Sequence, residues 1–226
     1  MAAENSENLN TTVTSQGGQD TVWSIGFQTS QLALKSGDGD HLLGLSTAVQ
    51  LGRGWIGDNW FASVSLDIIS GPFQSPKQQE LVVDFSGTGG TAVLAYSTEN
   101  QSLRTYAGNY GFLLGLSYQD VVGRSVGRRS FQTQGVAVDN WVMRVNNFSV
   151  FPAIFFCWLK PEPKSKGNDP QSLMTRIEGY FLTIGISTPL QATYSLSYDE
   201  NNLPQSSRGD LQGYTLIVSL STLLGV

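Results

Sequence analysis

Charge is scarce in this chain. Acidic and basic side chains make up 14% of its residues, against roughly 25% in an ordinary soluble domain. Cysteine is nearly absent: Cys157 stands alone, which excludes an intramolecular disulfide and a cysteine metal site. Among apolar neighbours it reads as a small buried or lipid-facing hydrophobe. Long apolar runs are missing too. The longest, Val150 to Leu159, is strand-sized and contains Pro152, far short of the roughly 18 to 20 residues of a membrane-spanning helix. The net charge of -5 lacks the basic excess of a general nucleic-acid binder. The opening Met-Ala-Ala-Glu-Asn has neither the basic nor the apolar part of a secretory signal. The expectation is that a native signal was removed ahead of Glu4.

Glycine, by contrast, is plentiful at 25 residues, and alternation runs through most of the chain. From Tyr106 to Tyr118 one parity reads Tyr106, Gly108, Tyr110, Phe112, Leu114, Leu116, Tyr118, and the other Ala107, Asn109, Gly111, Leu113, Gly115, Ser117. One face is greasy with aromatic ends; the other is small and mostly polar. A soluble sheet packs its apolar face into a core and covers its outer face with charge, whereas a membrane barrel turns the apolar face to lipid and keeps small or polar residues inside.

Met1 to Asp20 are polar and read as a disordered tail. Residues 21–226 then form one domain of about ten strands, with eight as the alternative count. Strand one covers Thr21 to Leu34; strands two and three follow the loop at Lys35 to His41 and end at the proline-bearing Ser70 to Pro76. Strand four, Glu80 to Ser97, is interrupted at Gly87-Thr88-Gly89-Gly90, read as a bulge or bend. Gly135 to Leu159 is long for one strand, and Asn146-Asn147 is read as a tight turn dividing it. Thr188-Pro189 is read as another turn. Connections then alternate between longer ones (35–41, 70–79, 120–134, 160–172, 200–210) and shorter ones (54–58, 98–102, 146–147, 188–189). Trp55, Trp60, Tyr96 and Tyr106 flank the short set, and Tyr118, Trp158, Tyr198 and Tyr214 lie near the long set, as two interfacial girdles would.

This pattern resembles that of small bacterial outer-membrane β-barrel proteins over Thr21 to Val226. The resemblance implies a closed antiparallel up-and-down transmembrane β-barrel in the bacterial outer membrane, monomeric, in contact with outer-membrane lipid. The terminal Val226 departs from the aromatic end usual in that class. Nine of the thirteen basic residues fall in the longer loops: Lys35, Lys77, Arg124, Arg128, Arg129, Lys160, Lys164, Lys166 and Arg208. They suggest an edge facing lipopolysaccharide phosphates, or simply the exposed charge of loops. Arg124, Arg128 and Arg129 are the densest cluster, a candidate anion-binding loop.

Candidate chemistry is thin. His41, the only histidine, lies in a loop with Asp38 and Asp40; it is either a general base on the barrel rim or a solvated loop residue. The same aspartates lack the later acidic ligand of a calcium loop, so no metal is assigned. No cofactor is implied. Asp67, Asp84 and Arg144 are the expected lumen-lining charges, with a plugging ion pair as the expected use. The leading expectation is a non-enzymatic barrel with a structural or surface-interaction role and at most limited small-solute passage. The alternatives are a secreted soluble β-sandwich or jelly-roll binding module, and a lipid-modifying enzyme on the barrel rim.

Overall fold

The computed structural model describes residues 20–36, 41–75, 78–98, 103–104, 108–124, 131–133, 136–160, 177–200 and 203–225; the expected tail, up to residue 19, lies outside them. Alternating sequences become strands because successive side chains point to opposite faces. The strands are β1 (Asp20–Ser36), β2 (His41–Ile56), β3 (Trp60–Ser75), β4 (Gln78–Ser97), β5 (Asn109–Arg124), the short β6 (Phe131–Thr133), β7 (Val136–Leu159), β8 (Ile177–Glu200) and β9 (Leu203–Gly225). Each long strand pairs antiparallel with its sequence neighbours. β9 returns to β1, with Val22 opposite Gly225 and Ser36 opposite Leu211. The ring is closed by eight strands, and β6 adds a small hairpin on β7 beyond the end of β5.

Closure sorts the connections. β1 begins and β9 stops at one end, shared with connections 57–59, 98–108 and 160–176; we call it the terminus end. The connections at 37–40, 76–77, 125–135 and 201–202 lie at the opposite, loop end. Strands of 16 to 24 residues exceed the roughly 9 to 11 that a tilted strand needs to cross a bilayer, so β7, β8 and β9 run well past it.

Three local readings of the sequence are corrected here. Asn146 and Asn147 do not turn: they stay in register with Asp120 and Gln119 of β5 and with Thr193 and Ala192 of β8. Thr188-Pro189 also lies within β8, where pairing with β9 skips from Ser187 to Thr193. A proline fits such an irregularity because no ladder amide is demanded there. The glycine run of β4 is no bulge: Gly87 to Gly90 pair without a shift against both β3 and β5. Gly87 is required by close approach, since a Cβ there would stand 2.1 Å from the Asp120 carbonyl oxygen. With those two turns gone the count is eight, and the connection after Leu159, expected among the long loops, belongs to the terminus end.

Candidate functional site

The inner face of the strands forms three layers. At the terminus end lies an apolar cluster that includes Val22, Ile56, Phe61, Phe155, Cys157 and Leu223. Phe181 sits between Phe61 and Phe155, with ring centroids 4.7 and 4.8 Å away. The Phe151 ring lies over Gly115, its partner on the neighbouring strand, where a Cβ would meet it at 2.1 Å. At the loop end Phe85, Val121, Met143, Val145 and Leu211 are buried on the same inner face. An eight-stranded barrel is just wide enough for side chains to fill, and these two layers fill it.

Between them is a polar band centred on Asp67, which is 2% exposed. Its Oδ1 accepts from Ser65 Oγ at 2.9 Å and Gln50 Nε2 at 3.2 Å, and its Oδ2 from Thr91 Oγ1 at 2.5 Å. Gln50 Nε2 also donates to Gln28 Oε1, and Ser219 Oγ to Gln50 Oε1, both at 3.1 Å. Gln28 Nε2 donates to Ser30 Oγ at 3.1 Å. The network spans β1 to β4, and the return of β9 to β1 adds Ser219 to it. Beside it is a cavity of about 50 Å³, lined by these hydroxyls and amides above Phe61, Phe151 and Phe181; that is room for about three or four waters.

The terminus end is also fastened across its mouth. Leu103, in the β4–β5 connection, is fully buried in the apolar cluster, and its amide donates to the Asp58 carbonyl at 2.7 Å. Arg104 beside it reaches Asp20 of β1 at 2.6 Å, Glu178 of β8 at 3.0 Å and the Lys160 carbonyl at 3.0 Å. Gly108, at φ +81°, then turns the chain into β5 against the Trp158 indole.

The outer face inverts the usual rule for a folded chain. Leu66 is 74% exposed, Phe27 and Phe112 67%, and Leu94, Leu114, Ile186 and Leu220 are exposed with them. A contiguous apolar belt of this extent around a closed sheet has no place in water, and on a barrel it is the lipid-facing surface. The chain is a closed, eight-stranded transmembrane β-barrel. Closure by the β1–β9 and β5–β7 pairings leaves no second sheet among the described residues, which removes the soluble sandwich.

No protein-family model matches the barrel, and no curated protein sequence does. Solved structures do. One is the outer membrane protein OprG from Pseudomonas aeruginosa, at 11% identity and a TM-score of 0.48, over 93% of this chain and 98% of that one. Another is the outer membrane protein AlkL, solved in DMPC lipid bilayers, at 15% identity and a TM-score of 0.39, over 100% and 98%. The beta domain of the Bordetella autotransporter BrkA follows at 10% and 0.28, over 90% and 98%.

The barrel distributes the expected site residues unevenly. Trp55, Trp60 and Tyr96 stand on the outer face at the terminus end with Tyr110 and Tyr180, and Tyr118 and Tyr214 stand exposed towards the loop end. Trp158, expected near a long loop, is a correction: it pairs with Tyr180 and belongs to the terminus-end girdle. Tyr106, Arg128 and Arg129 lie outside the described residues, as do Asp38 and Asp40; Tyr198 and His41 are strand residues whose side chains are not described. Arg124 is exposed at the loop-end tip of β5. Lys160 is at the terminus end, so the basic residues do not share one rim.

Asp67 is inside; Asp84 and Arg144 are not. Asp84 keeps the parity of the outward Leu94 and Tyr96 because nothing shifts β4 between them, and Arg144 keeps that of the outward Phe148 and Trp158. The expected ion pair in the lumen is therefore replaced by one on the outer wall. There Arg144 Nε donates to Asp120 Oδ1 at 2.8 Å, and its Nη2 to Oδ2. Sequence reading missed Gln28, Gln50, Ser65, Thr91 and Ser219. Inward parity was available for each, but nothing along the chain says which inward residues meet.

Proposed function

We propose that this barrel is a non-enzymatic outer-membrane protein whose lumen is closed to bulk ion flow, acting as a wall element with its contacts at the loop end. The single observation that carries this reading is the layered lumen, with stacked phenyl rings and Leu103 at one end and Phe85, Val121 and Met143 at the other. Small-solute passage is confined on this reading to side-chain rearrangement around the polar band. Lipid phosphate at the loop end is the proposed contact. Arg144 and Arg208 fall on one register row through Ser195, with Arg124 nearby on β5, all on the outer face beyond Tyr118.

The test is conductance of the purified protein in planar bilayers. The expected record is small or absent steps; large, stable porin-like steps would overturn the reading. Binding to lipopolysaccharide-containing vesicles tests the lipid contact. Replacing Arg124, Arg144 and Arg208 by alanine is expected to weaken it, and added salt to weaken it in the parent protein, because exposed charges are screened within about 8 to 10 Å.

A further inference from the structure

Three hydroxyls of the polar band are placed to donate within it, which leaves their lone pairs to face the cavity. A serine or threonine hydroxyl has one proton to give and two lone pairs to offer. Ser65 and Thr91 direct that proton to Asp67, and Ser219 directs its own to Gln50 Oε1. All three line the central cavity, together with Ser63, Gln28 and Gln50. What the hydroxyls of Ser65, Thr91 and Ser219 still have to offer the cavity is therefore acceptor oxygen.

The same band holds a carboxyl group with no charged partner among the described residues. The Gln50 amide donates to Asp67, and the Ser65 and Thr91 hydroxyls are placed to do so; these bonds favour the carboxylate form while burial opposes it, and a nearby cation would tip the balance. Among the described residues the ion pairs join Arg104 to Asp20 and Glu178, and Arg144 to Asp120; none reaches Asp67. A buried charge without a counter-charge is costly in a low-dielectric interior, and here lipid surrounds the wall. We propose that the cavity beside Asp67 binds one small monovalent cation of sodium size, held by the hydroxyl and amide oxygens and neutralising the carboxylate through them. Oxygen donors suit hard cations. A single carboxylate balances one positive charge, and among the described residues no group of three His, Cys, Asp or Glu offers a divalent site. Phe61, Phe151 and Phe181 floor the cavity and limit its water.

The experiment uses the full chain refolded into phosphatidylcholine vesicles and unfolded with urea in sodium chloride or in N-methyl-D-glucamine chloride at equal ionic strength. The organic cation is too large for a cavity of about 50 Å³. The expected result is a higher unfolding midpoint in sodium, with a shift that saturates as sodium rises, as binding to the folded state alone requires. Sodium NMR lines should broaden on the wild-type protein and stay narrow on Asp67→Asn, whose unfolding midpoint should be equal in the two salts. Should Asp67→Asn not fold, as judged by loss of the heat-dependent gel shift, Ser219→Ala is the second variant and should reduce the sodium shift. Equal wild-type midpoints in the two salts overturn the proposal. So does an infrared carboxylic-acid C=O band at neutral pH that disappears in Asp67→Asn, since a protonated Asp67 needs no cation.

Discussion

The two ends of this barrel are built on different physics. At the terminus end the strands stop close together, the bore is filled by stacked phenyl rings, and Leu103 and Arg104 tie β1, β7 and β8 to the 57–59 turn. At the loop end β7, β8 and β9 continue beyond the belt, register slips between Ser187 and Thr193, and the described ion pair, Arg144 with Asp120, lies out on the wall. The phenyl cluster, Leu103 and partly buried charge hold one end; a separate apolar layer around Phe85 and Met143, ladder hydrogen bonds and exposed charge hold the other. Stability is then expected to reside at the terminus end, with the loop end free to vary.

The strongest way to break that contrast is Phe155→Ala, which removes a fully buried ring from the terminus-end stack. It should cost about 3 to 5 kcal/mol, read from urea unfolding in vesicles; a cost near zero would mean that the stack does not hold that end. Leu114→Arg comes next, on the outer face midway between Tyr110 and Tyr118. It should cost about 2 to 4 kcal/mol if that position faces the midplane of the bilayer, and no change in the same assay would contradict the orientation of the wall. The smallest effects sharpen the comparison between the two arginines. Arg104, with a side chain 9% exposed and two carboxylate partners, should cost about 1.5 to 3 kcal/mol when replaced by alanine, as charged hydrogen bonds do. Arg144→Ala should leave the unfolding midpoint unmoved, because its exposed pair is solvent-screened. Equal losses from both would erase the distinction.

How much of this was readable along the chain depends on range. Parity is a one-residue property, so the outward set from Tyr110 to Tyr118 and the inward placement of Asp67 follow from the alternation. Turn signals are local as well, and they misled where the sheet overrules them. Asn146-Asn147 resembles a turn, yet ladders on both sides carry β7 straight through it. That one division moved the following connection to the wrong end and Trp158 with it. Arg144 was misjudged because a charged side chain on a lipid-facing parity looks misplaced until the strand is known to run beyond the lipid. Leu103 had no signal at all: a lone leucine in a short polar connection becomes a plug only when the ring closes over it.

Cys157 turns the difference between the ends into something that can be timed. The thiol is fully buried in the terminus-end cluster, on a strand flanked by Asn109 and Phe181. It is also the only cysteine in the chain. A maleimide therefore has one target, and reaches it only after that end has come apart. The rate of labelling is a clock for opening at the terminus end alone, silent to whatever the loop end does in the meantime.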